Sequence, residues 1–393
     1  MKRRELIQAG LLATGAVAFA ACNKTQVSND EFTITPKQTA QYEFSTPMPF
    51  NHKSIDDLSE INSKIKKSQI TTVYNNTPLP LGSRFNQWIQ VNRGENYNIK
   101  SYEDFAQYVK YSIGNGFKFV YLMNSPKPFS ENDFNTFKDE FKYLLDFLYQ
   151  IGVRDIKVGN TQVATLINDI TQNSFNLSAS TAFEYHNNSQ YSYLFKNYPN
   201  FDLIDVSNDE NHNFKFLKAL ANAFPDKKLE LMVNECCIKG CPARISHISE
   251  LNFCAFNCQK IKDEYGLLHF FIKTGAIYPW NLEYYSSIGI NNFKFSALAA
   301  MGSRANPIDM SYLKKYLEIT EHGTDIATVN DFFNKIFTFP ITNRDDIKLT
   351  ELKSYLPDIK HFIKYGDKCA LRCNSECNYC ELCAKRTQNF LDT

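Results

Sequence analysis

Thiol, carboxylate, guanidinium and imidazole groups fall within one short stretch, Leu229–Cys258, which reads LELMVNECCIKGCPARISHISELNFCAFNC. Cys237, Cys241, Cys254 and Cys258 follow the pattern C-x3-C-x12-C-x3-C, with Cys236 as an extra neighbour. Four thiolates gathered this way are the donor set of a zinc ion or of an iron–sulfur cluster. Two C-x3-C pairs do not decide between the two, although the looser spacing leans towards a cluster. A set of disulfides is the other reading of the same cysteines. Pro242 suits the first turn of a helix, where its missing N–H costs nothing. On that helix Arg244 and His247 share a face. Arg244 could bind an anionic substrate through its planar fork, and His247 could transfer protons near neutral pH. Glu235 adds a carboxylate where the apolar run Leu229–Val233 ends. Read blandly, the same three residues are caps and surface groups of an ordinary helix.

A second group of cysteines closes the chain. Cys369, Cys373, Cys377, Cys380 and Cys383 lie within the run KCALRCNSECNYCELCAKR. Cys369, Cys373, Cys377 and Cys380 offer a second four-thiolate site for zinc or a cluster, or some of the five donate to the first site. Disulfides are again the alternative, and five cysteines is an odd number for them.

The chain has 393 residues, of which 43% are hydrophobic, enough for one large barrel or two ordinary domains. Its 43 basic and 42 acidic residues leave a net charge of +1. No basic stripe stands out, so nucleic acid is not expected as a partner. The first residues combine Lys2-Arg3-Arg4 with a short Ala-rich apolar run and small residues ending at Cys22. That is the layout of an export signal rather than of a membrane-spanning helix. Arg3-Arg4-Glu5-Leu6-Ile7 resembles a twin-arginine signal, and Phe19-Ala20-Ala21-Cys22 a lipoprotein box. The expectation is an exported, periplasmic protein attached to the membrane only through lipid on Cys22, with residues 1–22 as signal and 23–40 as a polar tether.

Stepping along the rest, short apolar runs alternate with helical patterns. The expected strands are Tyr42–Thr46, Ile70–Tyr74, Phe117–Met123, Asp155–Val158, Leu177–Ala179, Leu203–Val206, Leu229–Val233 and Asn292–Ser296. Such alternation predicts parallel strands with right-handed crossovers, and eight units predict an α/β fold of the (β/α)8, TIM-type barrel class over residues 41–325. A doubly wound open sheet is the runner-up, but no Gly-rich phosphate loop follows the first strand. Arg84, Asn124, Asn160, Ser180, Asn208 and Glu235 all follow strand ends and would ring one mouth of the barrel. The connection from Asn234 to Ile290 is a long cysteine-containing insertion after the seventh strand, and such loops are usually functional. Residues 326–393 form a Cys-rich C-terminal extension.

The block Asn234-Glu235-x-Cys237-x3-Cys241-Pro242-x-Arg244-x2-His247 resembles the signature of the collagenase-like peptidase family U-32. Tyr278-Pro279-Trp280, Gly289-Ile290 with Phe293-Lys294, and Cys377-Asn378-Tyr379-Cys380 also have counterparts there. The resemblance implies a barrel and an oxygen-labile [4Fe–4S] cluster on four cysteines. Several members resemble hydroxylases that work without molecular oxygen. Two departures stand out: family members are mostly cytoplasmic, and the Gly-Arg expected after Phe293-Lys294 is displaced, Arg304 being its nearest substitute.

Three functions follow. The first is an iron–sulfur redox enzyme such as an oxygen-independent hydroxylase acting on a small organic substrate, with Glu235, Arg244 and His247 catalytic beside a cluster on Cys237, Cys241, Cys254 and Cys258, zinc being the alternative metal. The second is a peptidase, although no G-x-S-x-G or H-E-x-x-H motif is present. The third is a non-catalytic electron-transfer or accessory lipoprotein working with a redox partner.

Overall fold

The structure, a computed structural model, describes residues 32–37, 41–47, 51–75, 99, 101–234, 237–241, 244, 263–264, 266–296, 310–337, 341–372 (main chain only from 370) and 377–393. The chain falls into two units, Met1–Phe32 and Thr33–Thr393, and the second contains every element described here.

Eight strands close into one barrel in chain order. They are β1 Tyr42–Pro47, β2 Ser68–Asn75, β3 Lys118–Met123, β4 Asp155–Val158, β5 Asn176–Ala179, β6 Phe201–Asp205, β7 Lys228–Met232 and β8 Asn292–Lys294. Every neighbouring pair is parallel, and β1 closes on β8 with Glu43 opposite Asn292. This is the (β/α)8 barrel the alternation predicts. Parallel closure puts the C-terminal ends of all strands on one face, so Asn124, Asn160, Ser180 and Asn208 do share one mouth. Arg84 and Glu235 lie outside the described residues.

The crossover helices form where the sequence caps them. Helix α1 (His52–Lys64) starts at Asn51, and α2 (Tyr102–Gly114) at Ser101. Helix α3 (Glu131–Gln150) has a full capping box, Ser130 with Asp133, which satisfies two otherwise orphaned donors. Its buried side chains Phe137, Phe141, Leu144, Leu145 and Leu148 recur at helical spacing, each worth about 1.5–3 kcal/mol of burial. Helix α4 (Thr161–Thr171) is capped by Asn160, whose Oδ1 accepts from Val163 N at 2.9 Å. α5 (Asn188–Asn197) and α6 (Phe214–Ala223) start at Asn187 and Asn213. α7 (Leu267–Ile272) and α8 (Leu282–Ser286) lie inside the long seventh connection, before β8, and α9 (Ser311–His322) follows β8. The extension contributes α10 (Val329–Ile336), α11 (Leu349–Leu352), α12 (Ile359–Arg372) and α13 (Tyr379–Asp392). Among the described residues no helix is long and apolar enough to cross a membrane.

The barrel interior departs from the sequence expectation of plain apolar strands. Barrel interiors are usually layers of branched apolar side chains. Here Lys157 of β4 bonds Asp205 of β6 and, at 2.7 Å, Glu230 of β7, while Lys294 of β8 bonds Asp205 at 2.7 Å. β5 separates β4 from β6, and β7 separates β6 from β8, so these side chains can meet only across the interior. The Lys294 ammonium also stands 4.6 Å above the Tyr74 ring. The neighbours of Lys294 in sequence, Phe293 and Phe295, instead pack outward against Tyr285 and Tyr316. In β4, β6, β7 and β8 the period of two sends one charged residue inward between two apolar ones facing the helices.

Candidate functional site at the barrel mouth

The loops after β5, β6 and β7 gather a charged cluster at the C-terminal mouth, where barrel chemistry sits. Glu184 follows a 3-10 turn, Thr181–Phe183, and holds a left-handed backbone with φ 46°. That conformation costs a residue other than glycine about 1–3 kcal/mol and is concentrated at functional sites. The Glu184 carboxylate accepts from Ser207 Oγ at 2.8 Å. The same Oε2 lies 3.6 Å from His186 Nε2 and 3.7 Å from Arg244 Nη1. Burial raises the Glu184 pKa, with Arg244 and Ser207 opposing.

His186 is turned towards the mouth by Glu210. Its Nδ1 lies 3.2 Å from Glu210 Oε1, and Asn213 Nδ2 donates to Glu210 Oε2 at 2.7 Å. Glu210 is buried, whereas the His186 side chain is 41% exposed. The bond to Glu210 raises the His186 pKa, against the opposing effect of partial burial. An imidazole with one nitrogen anchored by a carboxylate and the other facing a second carboxylate, here Glu184, is an arrangement suited to proton transfer.

The cysteine loop is fastened beside this cluster. Asp209 Oδ1 accepts from Gly240 N at 2.9 Å and from Arg244 Nη2 at 2.6 Å. Arg244 Nη2 also donates to the Ile238 carbonyl at 2.9 Å. Lys239 donates its ammonium to His212 Nδ1, and the Ala276 carbonyl accepts from His212 Nε2 at 3.0 Å. That fixes a neutral imidazole, and burial followed by the Lys239 charge holds its pKa well below the usual range. Lys239 N donates to Lys273 O at 3.2 Å, within an antiparallel bridge between Ile238 and Thr274. Cys237 and Cys241 are thereby carried, both buried, on a loop tied to the β6 turn and to the segment after α7.

Among the residues singled out from sequence, Cys237, Cys241 and Arg244 meet here. The expected anionic partner of Arg244 comes from the chain itself, as Asp209 and Glu184. Glu235, Cys236, His247, Cys254, Cys258, Arg304 and Cys373 lie outside the described residues. Cys369, Cys380 and Cys383 are buried and Cys377 is exposed. Asn160 serves as a helix cap whose Nδ2 also ties down the Ser125 carbonyl at 2.9 Å, and Ser180 caps the turn before Glu184. Sequence reasoning missed Glu184, His186, Asp209 and Glu210. The polar runs FEYH and SNDENHN directly after β5 and β6 were the available signal.

Two donor sets could hold a metal. Glu184, His186 and Asp209 bring one ligand atom each within 4.8 Å of one another, although Arg244 already occupies Asp209. Cys237 and Cys241 fit a thiolate-bound metal: both are buried on a fastened loop, and no disulfide joins any of the described cysteines.

No family model matches this sequence, and no curated protein matches it. Among solved structures it is similar to the U32 peptidase Mk0906, at 11% identity and TM-score 0.42, over 67% of this chain and 96% of that one. It is also similar to N-acetylneuraminate lyase from Fusobacterium nucleatum (12%, TM-score 0.36, 90% of this chain and 99% of that one). An endo-β-1,4-mannanase from Thermotoga petrophila is similar at 10% and TM-score 0.39, over 74% of this chain and 78% of that one. All three are enzymes, but likeness at this level assigns neither family nor chemistry.

The His186–Glu210 pair yields a pH prediction. A raised folded pKa means that the stabilising contact is present below the ordinary histidine value of about 6.5 and is lost as pH rises through the folded pKa. In Glu210→Gln the His186 titration should move down towards that ordinary value. Following the ring resonances by NMR against pH checks this; an unmoved midpoint would show that Glu210 does not set it.

Proposed function

We propose that this protein is an iron–sulfur redox enzyme of the oxygen-independent hydroxylase kind, acting on a small organic substrate at the barrel mouth. The observation that supports the reading is that the loop bearing the buried thiols Cys237 and Cys241 is fastened through Gly240 and Arg244 to Asp209 and Glu184, in the cluster that holds the His186–Glu210 pair. The sequence offers Cys254 and Cys258 as further donors. A bound cluster would supply one-electron chemistry. His186 gives or takes a proton at Nε2 while Glu210 holds the ring through Nδ1. Arg244 and Asp209 keep the cysteine loop in place, and the interior charges Lys157, Asp205, Glu230 and Lys294 form a polar floor beneath the mouth.

Anaerobically prepared protein should carry iron and acid-labile sulfide and absorb in the visible range. Cys237→Ala and Cys241→Ala should remove both, and Cys236→Ala should not. Full iron in Cys237→Ala sinks the assignment.

A peptidase using a divalent cation is the second reading, favoured by the three converging donors of Glu184, His186 and Asp209. It requires zinc binding in titration calorimetry that His186→Ala abolishes. We further propose that the protein is exported with lipid on Cys22. Mass spectrometry should then find Cys22 as the modified first residue; a free N-terminus at Ala21 would mean simple secretion.

A further inference from the structure

The first of the two C-terminal helices packs against the loop that carries Cys237 and Cys241, and both helices carry buried thiols of their own. Lys239, midway between those cysteines, holds its ammonium 4.8 Å above the ring of Phe362 on α12. The His212 ring stacks on the same Phe362 with centroids 4.0 Å apart. One turn further along α12, Gly366 comes so near that an added Cβ would lie 1.7 Å from the His212 carbonyl oxygen. Helix and turn therefore touch backbone to backbone, and only glycine permits it. Residues at i, i+4 and i+7 share one helix face, so the face of α12 that meets the loop region, Phe362 and Gly366, also carries Cys369. Cys369 is buried.

Helix α13 reaches the same place from its other end. Tyr379 stacks on His361 at 3.5 Å and sets its edge against Phe362 at 6.2 Å. The next residue, Cys380, is buried. Cys383, one turn further along α13, is buried as well. Tyr278 ends the stretch from Thr274, which pairs with Ile238, through Ile277, whose N–H bonds Val233 O at 2.8 Å. Cys383 is hydrogen-bonded to Tyr379, and Cys377 is exposed.

We propose that Cys369 and Cys380 belong to the same thiolate centre as Cys237 and Cys241, so that the C-terminal helices close that centre instead of forming a separate module. This rests on the iron–sulfur reading above. Two donors come from a barrel loop and two from helices much later in the chain, with Phe362, Lys239 and His212 as the packed joint between them. Those four donors complete a shell without Cys254 and Cys258, which lie outside the described residues. Thiolate ligation from two distant segments also makes metal binding a fastening of the extension to the barrel.

The experiment uses the full chain, prepared anaerobically, as wild type and as single Cys→Ser variants, with iron, sulfide and visible absorption measured on each. Iron should fall at least tenfold in Cys237→Ser, Cys241→Ser, Cys369→Ser and Cys380→Ser, and remain in Cys254→Ser, Cys258→Ser and Cys377→Ser. Alkylation of the wild type with iodoacetamide provides a second readout that needs no variant to fold. Mass spectrometry should show Cys237, Cys241, Cys369 and Cys380 protected together in loaded protein and modified together after chelation. Full iron in Cys369→Ser and Cys380→Ser, or loss of only half of it, overturns the shared centre while leaving the iron–sulfur reading intact. So does protection of Cys254 and Cys258 in their place. A wild type without iron, or iron indifferent to Cys237→Ser, fails the underlying reading itself.

Discussion

Asp205→Ala is expected to destabilise the fold by about 3–5 kcal/mol, the cost of removing one partner from a buried ion pair. Asp205 accepts from both Lys157 and Lys294, and all three side chains are at most 7% exposed. Without it two buried ammonium groups share only Glu230. Equilibrium urea unfolding should show a much earlier midpoint at unchanged slope. Asp202, 48% exposed and 3.9 Å from Lys118, is the control, and Asp202→Asn should change little. Glu230→Gln should be far milder than Asp205→Ala, because burial, helped by the nearby Asp205 and opposed by Lys157, pushes the Glu230 carboxyl up to about 7. The two lysines outweigh burial in Asp205 and hold its pKa well below the usual range. The signs are opposite. The Glu230 contribution is present at acid pH and is lost as pH rises through about 7. The Asp205 contribution is present above its unfolded pKa and is lost only in strong acid. Wild-type stability should therefore decline between about pH 4.5 and about pH 7, and Glu230→Gln should flatten that decline. Equal midpoints for Asp205→Ala and Asp202→Asn would refute the account.

Asp209→Ala is the second large effect. Arg244 is 4% exposed and would lose the carboxylate 2.6 Å from its Nη2, while Gly240 N would lose its acceptor. The buried guanidinium would keep only the longer contact to Glu184, 3.7 Å from its Nη1, and breaking a buried pair in this way costs up to about 3–5 kcal/mol. Part of that cost can be relieved by local opening of the cysteine loop, which would still be held by the bonds of Lys239 to His212 and Lys273. A loss of about 1.4 kcal/mol in closing free energy already raises the open population tenfold. Cys237 and Cys241 should accordingly be alkylated at least tenfold faster in metal-free Asp209→Ala than in metal-free wild type, as followed by mass spectrometry. Asp209→Asn, which keeps an oxygen acceptor, should fall between them. Unchanged rates in the alanine variant would mean that the loop does not depend on Asp209.

How far the chain could be read in advance follows from the range of the interactions. Each barrel strand was visible because a strand of this fold is a short apolar run of its own, and a cap such as Ser101, Ser130 or Asn160 marks the next helix locally. The common mouth of Asn124, Asn160, Ser180 and Asn208 needed no tertiary knowledge beyond parallel strands. The cysteine loop was visible too, because its spacing is a property of the chain itself. Lys157, Asp205, Glu230 and Lys294 were not visible as a group. Each stands alone among apolar neighbours in sequence, and they meet only because closure of β1 on β8 brings nonadjacent strands within reach across the interior. Glu184, His186, Asp209, Glu210 and Arg244 come from three different crossovers, and nothing local to any of them specifies the others. The approach of Phe362 and Gly366 to His212 depends on where the extension docks, which packing decides and no spacing encodes. The sequence by itself therefore determined the elements and the thiol-bearing loop, whose signals are short-range. The tertiary structure alone decided which charges neutralise one another and where the extension docks, because those pairings exist only after the barrel has closed.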